Sequence, residues 1–152
     1  MNRTRSVGVF MASLLAATLA GIVGREAVKA MFTPNETRPG SNVTSLAATS
    51  RIASEVNKTM PIMVDQHTEL MNVTPLPATV VYNYRLVSVE AGEFTIDDIA
   101  SAIRPGAQES ACSSPLTRDG LLKRGITMRF SYNDRNRKHI GAFDVRPADC
   151  GF

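Results

Sequence analysis

Asp65, His67 and Glu69 stand at alternating positions in MPIMVDQHTEL, residues 60–70. On a β-strand such residues share one face about 6.5–7 Å apart, so an imidazole would lie between two carboxylates. That set can ligate zinc or a similar ion, or move a proton. A solvent-facing strand alternates polar residues in the same way, so the spacing also describes a wetted strand face. Catalytic metal sites draw ligands from several elements, and His139 is the only other histidine. No GxSxG elbow, phosphate-binding glycine loop, HExxH or GxGxxG occurs, which points away from the common enzyme classes and implies no cofactor. Tyr82, Tyr84 and Tyr132 offer the surface of a stacking or sugar-binding wall, although their alternation equally suits core packing.

A second chemical feature is the basic stretch from Lys123 to Arg146, in which Arg129, Arg135, Arg137 and Lys138 are candidates for contacting an acidic partner. Nucleic acid is not that partner. With Arg3, Arg5, Arg25, Lys29 and Glu26 set aside, thirteen basic and thirteen acidic residues remain in 31–152. A neutral domain without interleaved stacking aromatics lacks the footprint of a nucleic-acid binder.

The positioning elements begin with Val7 to Gly24, eighteen residues without a charge or a proline behind Arg3 and Arg5. As a helix this run rises roughly 27 Å, close to the hydrocarbon thickness of a bilayer. Residues 1–30 are therefore expected to anchor the chain in a membrane, or to act as a signal segment cleaved near Ala20 or Ala30. Ala12, Ala16, Ala20 and Gly24 recur every four residues, the spacing of a helix-pairing stripe and hence of a possible homodimer. Residues 31–42, with two prolines and a glycine, read as a linker. Two cysteines, Cys112 and Cys150, lie outside any metal-binding spacing; behind an export segment they read as one structural disulfide, with two buried thiols as the alternative. Asn-x-Ser/Thr occurs at Asn2, Asn35, Asn42, Asn57 and Asn72, which would matter in a eukaryotic secretory protein.

Residues 43–152 read as one α+β domain. Leu46, Ile52, Ala53 and Val56 mark a helix ending near Lys58. Ile62 to Leu70 and Thr79 to Val89 alternate as strands, with Pro75 and Pro77 predicting a wide loop between them. Thr95 caps a short helix that Pro105-Gly106 should break, and Ser114-Pro115 opens another that stops at Gly125. Ile126 to Tyr132 and Lys138 to Arg146 are the last strands, joined by a turn at 133–137. The changed phase of Phe143 and Val145 against Ile140 and Ala142 predicts a bulge. The expected architecture is α-β-β-α-α-β-β, with two to three helices on one face of four antiparallel strands.

The segments Asn57-Lys58, Pro61, Met63-Val64-Asp65, Tyr82-x-Tyr84, Tyr132-x-Asp134 and Asp149-Cys150 resemble a family of small exported bacterial proteins of unknown function, over roughly residues 50–150. The resemblance implies an export or anchor segment, an envelope location and a bond between Cys112 and Cys150. It implies no activity, and Asn136 stands where the family's final turn usually has glycine.

These readings combine into a non-enzymatic module tethered to the bacterial inner membrane through residues 7–24, with its domain in the periplasm and an envelope protein as partner. Cleavage of the N-terminal segment would make it periplasmic or secreted. The alternatives are a metal-dependent or acid/base enzyme centred on Asp65, His67 and Glu69, and a binder of small ligands or cell-wall fragments.

Overall fold

The computed structural model describes residues 46–152. The candidate anchor, its small-residue stripe and the linker lie outside them. Among the described residues, no helix is long and apolar enough to cross a membrane.

Helix α1 (Leu46–Asn57) is followed by strands β1 (Ile62–Met63), β2 (Thr68–Leu76) and β3 (Thr79–Leu86). Helices α2 (Ile96–Ser113) and α3 (Pro115–Gly120), with a 3-10 turn at Leu122–Arg124, lead to β4 (Thr127–Asn133) and β5 (His139–Val145). A second 3-10 turn, Pro147–Cys150, follows β5. The strands form one sheet in chain order.

The expected α+β class holds, but three strands rather than two precede the helical crossover, and the sheet is five-stranded and mixed rather than four-stranded and antiparallel. β3 and β4 run parallel, Tyr82 opposite Phe130, because the helical crossover returns the chain to the end from which β3 started. The remaining pairs are antiparallel.

Alternation on β3 buries Val80, Tyr82, Tyr84 and Leu86, and on β4 it buries Met128, Phe130 and Tyr132. Their rings stack across strands: Tyr84 lies 5.1 Å from Tyr132, and Phe130 lies 5.2 Å from Phe143. The apolar stripes of both long helices, Ala53 and Val56 on α1 and Ile99, Ile103, Ala107 and Ala111 on α2, join this same cluster. The tyrosines are thus core residues, not an exposed wall, and burial pushes all three phenols well above their ordinary range.

Four local expectations are corrected. The segment 62–70 is a small hairpin rather than one strand, turning at residues 64–67. Pro75 lies within β2, and Leu76 faces Thr79, so the wide loop is instead a two-residue turn with Ala78 at φ 55°. Helix α2 runs through Pro105-Gly106. Ser101, Pro105 and Gly106 are all exposed, so water can bond the carbonyl of Ser101 that Pro105 leaves without a donor. The following helix is only six residues long and gives way to the 3-10 turn that ends at Gly125, φ 78°. The capping box at Thr95 and Asp98 forms as expected. A β5 bulge also forms, but at Ile140 rather than at the Ala142–Phe143 phase change: Tyr132 pairs with Gly141 and Asn133 with His139, while Ala142 and Phe143 stay in register.

Cys112 and Cys150 are joined. Gln108 Nε2 donates to the Asp149 carbonyl at 2.8 Å, so α2 and the C-terminal turn are held both covalently and by hydrogen bonding.

Candidate functional site

The hairpin turn separates the roles of Asp65, His67 and Glu69. Asp65 Oδ1 accepts from the His67 backbone N–H at 2.7 Å, a local turn that occupies the carboxylate. His67 Nδ1 lies 3.1 Å from Ser88 Oγ. Glu69 is on β2 opposite Arg85 and pairs with it at 2.8 Å. These side chains serve three different contacts rather than one strand face. Among the described residues, no group of three His, Cys, Asp or Glu side chains is placed to hold a metal ion.

The other residues of the Asn57 to Asp65 segment are explained by packing. β1 ends opposite Glu69 and Leu70, leaving the outer edge of β2 open beyond that point. There the Asn57 carboxamide takes the place of a strand: Nδ2 donates to the Val73 carbonyl at 2.8 Å and Oδ1 accepts from its N–H at 2.7 Å. Met71, the extra residue between the Leu70 and Asn72 pairs, bulges β2 just before this contact. The Met60–Pro61 peptide is cis and lies between α1 and β1, and Val64, the first residue of the hairpin turn, enters the core. Thr49, fully buried on α1, donates to the Leu76 carbonyl at 2.9 Å and anchors the other end of β2.

The basic stretch divides into two groups at opposite ends of the β4–β5 hairpin. Arg135 pairs with Glu90, and Arg137 and Lys138 are exposed at the turn. The turn is organised by Asp134, only 2% exposed. Burial pushes its carboxyl up, but the backbone amides of Lys138, Ala91 and Asn136 and the Lys138 charge prevail, so it is held below its usual range. The positive φ in this turn falls at Arg137 (67°), not at Asn136.

At the other end, Arg129 on β4 forms a two-pronged pair with Asp144 on β5, Nε to Oδ1 at 2.8 Å and Nη2 to Oδ2 at 3.0 Å. Arg146 Nη2 lies 3.9 Å from the same carboxylate. Arg104, one helix away, sits over the Phe143 ring, 5.2 Å from its centroid. These groups, with Ala142 and Asp149, line an open cleft of about 350 Å³. The Arg129 hydrogen bond, opposed by partial burial and aided by the charges of Arg129, Arg146 and Arg104, holds Asp144 below the usual carboxylate range.

Sequence reasoning singled out Arg129 and included Arg146 in the basic stretch, but it passed over Arg104. Twenty-five residues separate Arg104 from Arg129, and only the packing of α2 against β5 brings them together. The available signal was a charge on the exposed side of the apolar stripe Ile99, Ile103 and Ala107.

No family model and no curated protein matches the chain. Solved structures do share its fold. A putative secreted protein from Pseudomonas aeruginosa superimposes with TM-score 0.59 at 15% identity, covering 68% of this chain and 90% of its own. The pilotin EpsS of the Vibrio vulnificus type 2 secretion system gives 0.56 at 17% identity, with 72% and 93% covered. The type II secretion system pilotin AspS from Vibrio cholerae gives 0.52 at 18%, with 70% and 92% covered. At these identities the likeness is one of fold, and it covers nearly the whole of each neighbour.

Proposed function

We propose that this chain is a non-enzymatic accessory module of the bacterial cell envelope, tethered to the inner membrane through residues 7–24 and acting by docking onto another envelope protein. The observation that carries the reading is the fold shared with two secretion-system pilotins and a putative secreted protein. The Cys112–Cys150 bond supports it, because such links form and persist in oxidising compartments such as the periplasm. Val7 to Gly24, eighteen residues without a charge, supply the tether. The fold neighbours favour a docking role over catalysis, and the divergence of Asp65, His67 and Glu69 weighs against the metal-dependent alternative.

Tethering is tested by replacing residues 1–30 with a cleavable export signal in cells lacking the native copy. The released domain is expected to accumulate in the periplasm yet fail to restore the deletion phenotype. Full restoration would contradict an anchoring role for 7–24.

A further inference from the structure

We infer that the arginine cleft between α2 and the end of β5 takes an extended, carboxylate-bearing peptide segment of the docking partner, laid along the edge of β5. This rests on the docking-module reading and names the partner's chemistry.

The cleft has more positive charge than it uses internally. Asp144 is engaged by both prongs of Arg129. Arg146, with its side chain 68% exposed, reaches that carboxylate only at 3.9 Å. Asp149 Oδ2 accepts the Arg146 backbone N–H at 2.7 Å, which turns it toward the chain rather than the guanidinium. Among the described residues, no carboxylate forms an ion pair with Arg104, whose cation faces the Phe143 ring. Two guanidiniums therefore flank the cleft with donors to spare, in the planar geometry that suits a carboxylate.

Peptide is favoured by what lies beside those donors. β5 is the last strand of the sheet, and no described strand pairs with its outer side. A strand edge presents backbone N–H and C=O groups in a row, which an added strand can match. Gly141 and Ala142 keep side-chain bulk off this stretch. A dense polyanion or an anionic lipid surface fits less well, because Asp144 and Asp149 both line the cleft and would repel closely spaced phosphates. A single carboxylate on an extended chain meets the two arginines without crowding those acids.

The test uses the full-length chain in detergent micelles and a fluorescent seven-residue threonine peptide with one central glutamate, beside its glutamine counterpart. Binding is read by anisotropy, and amide hydrogen exchange is followed over residues 139–146. The glutamate peptide is expected to bind at least tenfold tighter than the glutamine one and to slow exchange along β5. The R104Q/R146Q variant should lose at least tenfold in affinity, while R137Q, at the far end of the hairpin, should retain it. Absence of binding, equal affinity for the two peptides, an equal loss in R137Q, or displacement by pyrophosphate at lower concentration than by unlabelled peptide would each overturn the proposal. Undiminished capture of an envelope partner by R104Q/R146Q in cells would overturn it and leave the docking-module reading standing. Failure of every variant, wild type included, to capture a partner would remove both.

Discussion

Replacing both cysteines with serine, C112S with C150S, removes the covalent link between α2 and the C-terminal turn. The two cysteines are 38 residues apart in sequence, and closing a loop of that size removes unfolded-chain entropy worth about 4 kcal/mol at 25 °C. Both side chains are only half-buried, so the new hydroxyls reach solvent and add little desolvation cost. The Gln108 to Asp149 hydrogen bond and the Lys123 ammonium, 5.5 Å from the Phe152 ring centroid, still hold the C-terminus in place. The folded state is therefore expected to survive while the unfolded state gains freedom. Urea unfolding of residues 43–152 at neutral pH measures the effect. With a slope of about 2 kcal/mol/M, the midpoint should fall by about 2 M, and reduction of the wild-type domain should reproduce the shift. A fall below about 0.5 M at unchanged slope would refute the reasoning, because the link would then restrict little that the unfolded chain explores.

Three further outcomes follow from single contacts. A Cβ added at Gly141 would lie 2.5 Å from Ile96 Cβ and 2.7 Å from its Cγ1, so G141A should wedge α2 from β5 and cost about 1–3 kcal/mol in urea unfolding, partly recovered by I96A. N57A deletes both hydrogen bonds to Val73 and should cost about 1–3 kcal/mol in urea unfolding. Asp144, held low chiefly by Arg129, and Asp134, held low by backbone amides against its burial, both bind protons less readily folded than unfolded. Their stabilisation is complete above the unfolded carboxylate value of about 4 and is lost as pH falls through the lower folded values. Urea midpoints measured from pH 6 to 2 should decline over that window, and D144N should make the decline shallower.

Periodicity made the long elements legible. Val80, Tyr82, Tyr84 and Leu86 announced β3, and Met128, Phe130 and Tyr132 announced β4. The phase change before Phe143 suggested a bulge but misplaced it, because Ala142 is simply on the outer face and the register breaks at Ile140. Parallel pairing of β3 and β4 was not legible, because alternation reports which face is buried and says nothing of strand direction. The prolines misled for a related reason. Pro75 in β2 and Pro105 in α2 both lie where a missing N–H can be tolerated, and that depends on exposure established only in the folded chain. Asp65-x-His67-x-Glu69 looked like one face because its spacing is that of a strand, yet the Asp65 carboxylate bonds the His67 N–H and makes the segment a turn. Asn57 stood out only by the resemblance and as an Asn-x-Thr position, and its work as a substitute strand partner depends on β1 covering β2 no further than Leu70. The arginine cleft is a tertiary feature, and no local pattern joins Arg104 to Arg129 and Arg146.

The central claim is that the domain works by docking, and crosslinking in intact cells tests it most directly. A tagged full-length chain would be crosslinked, extracted from the membrane and its captured proteins identified by mass spectrometry, with variants altered around Arg129 and around Asp65 run in parallel. The account predicts one reproducible envelope protein, captured by the wild type and lost when the surface around Arg129 is altered. Capture of nothing above the level of an unrelated membrane-tethered control would contradict it.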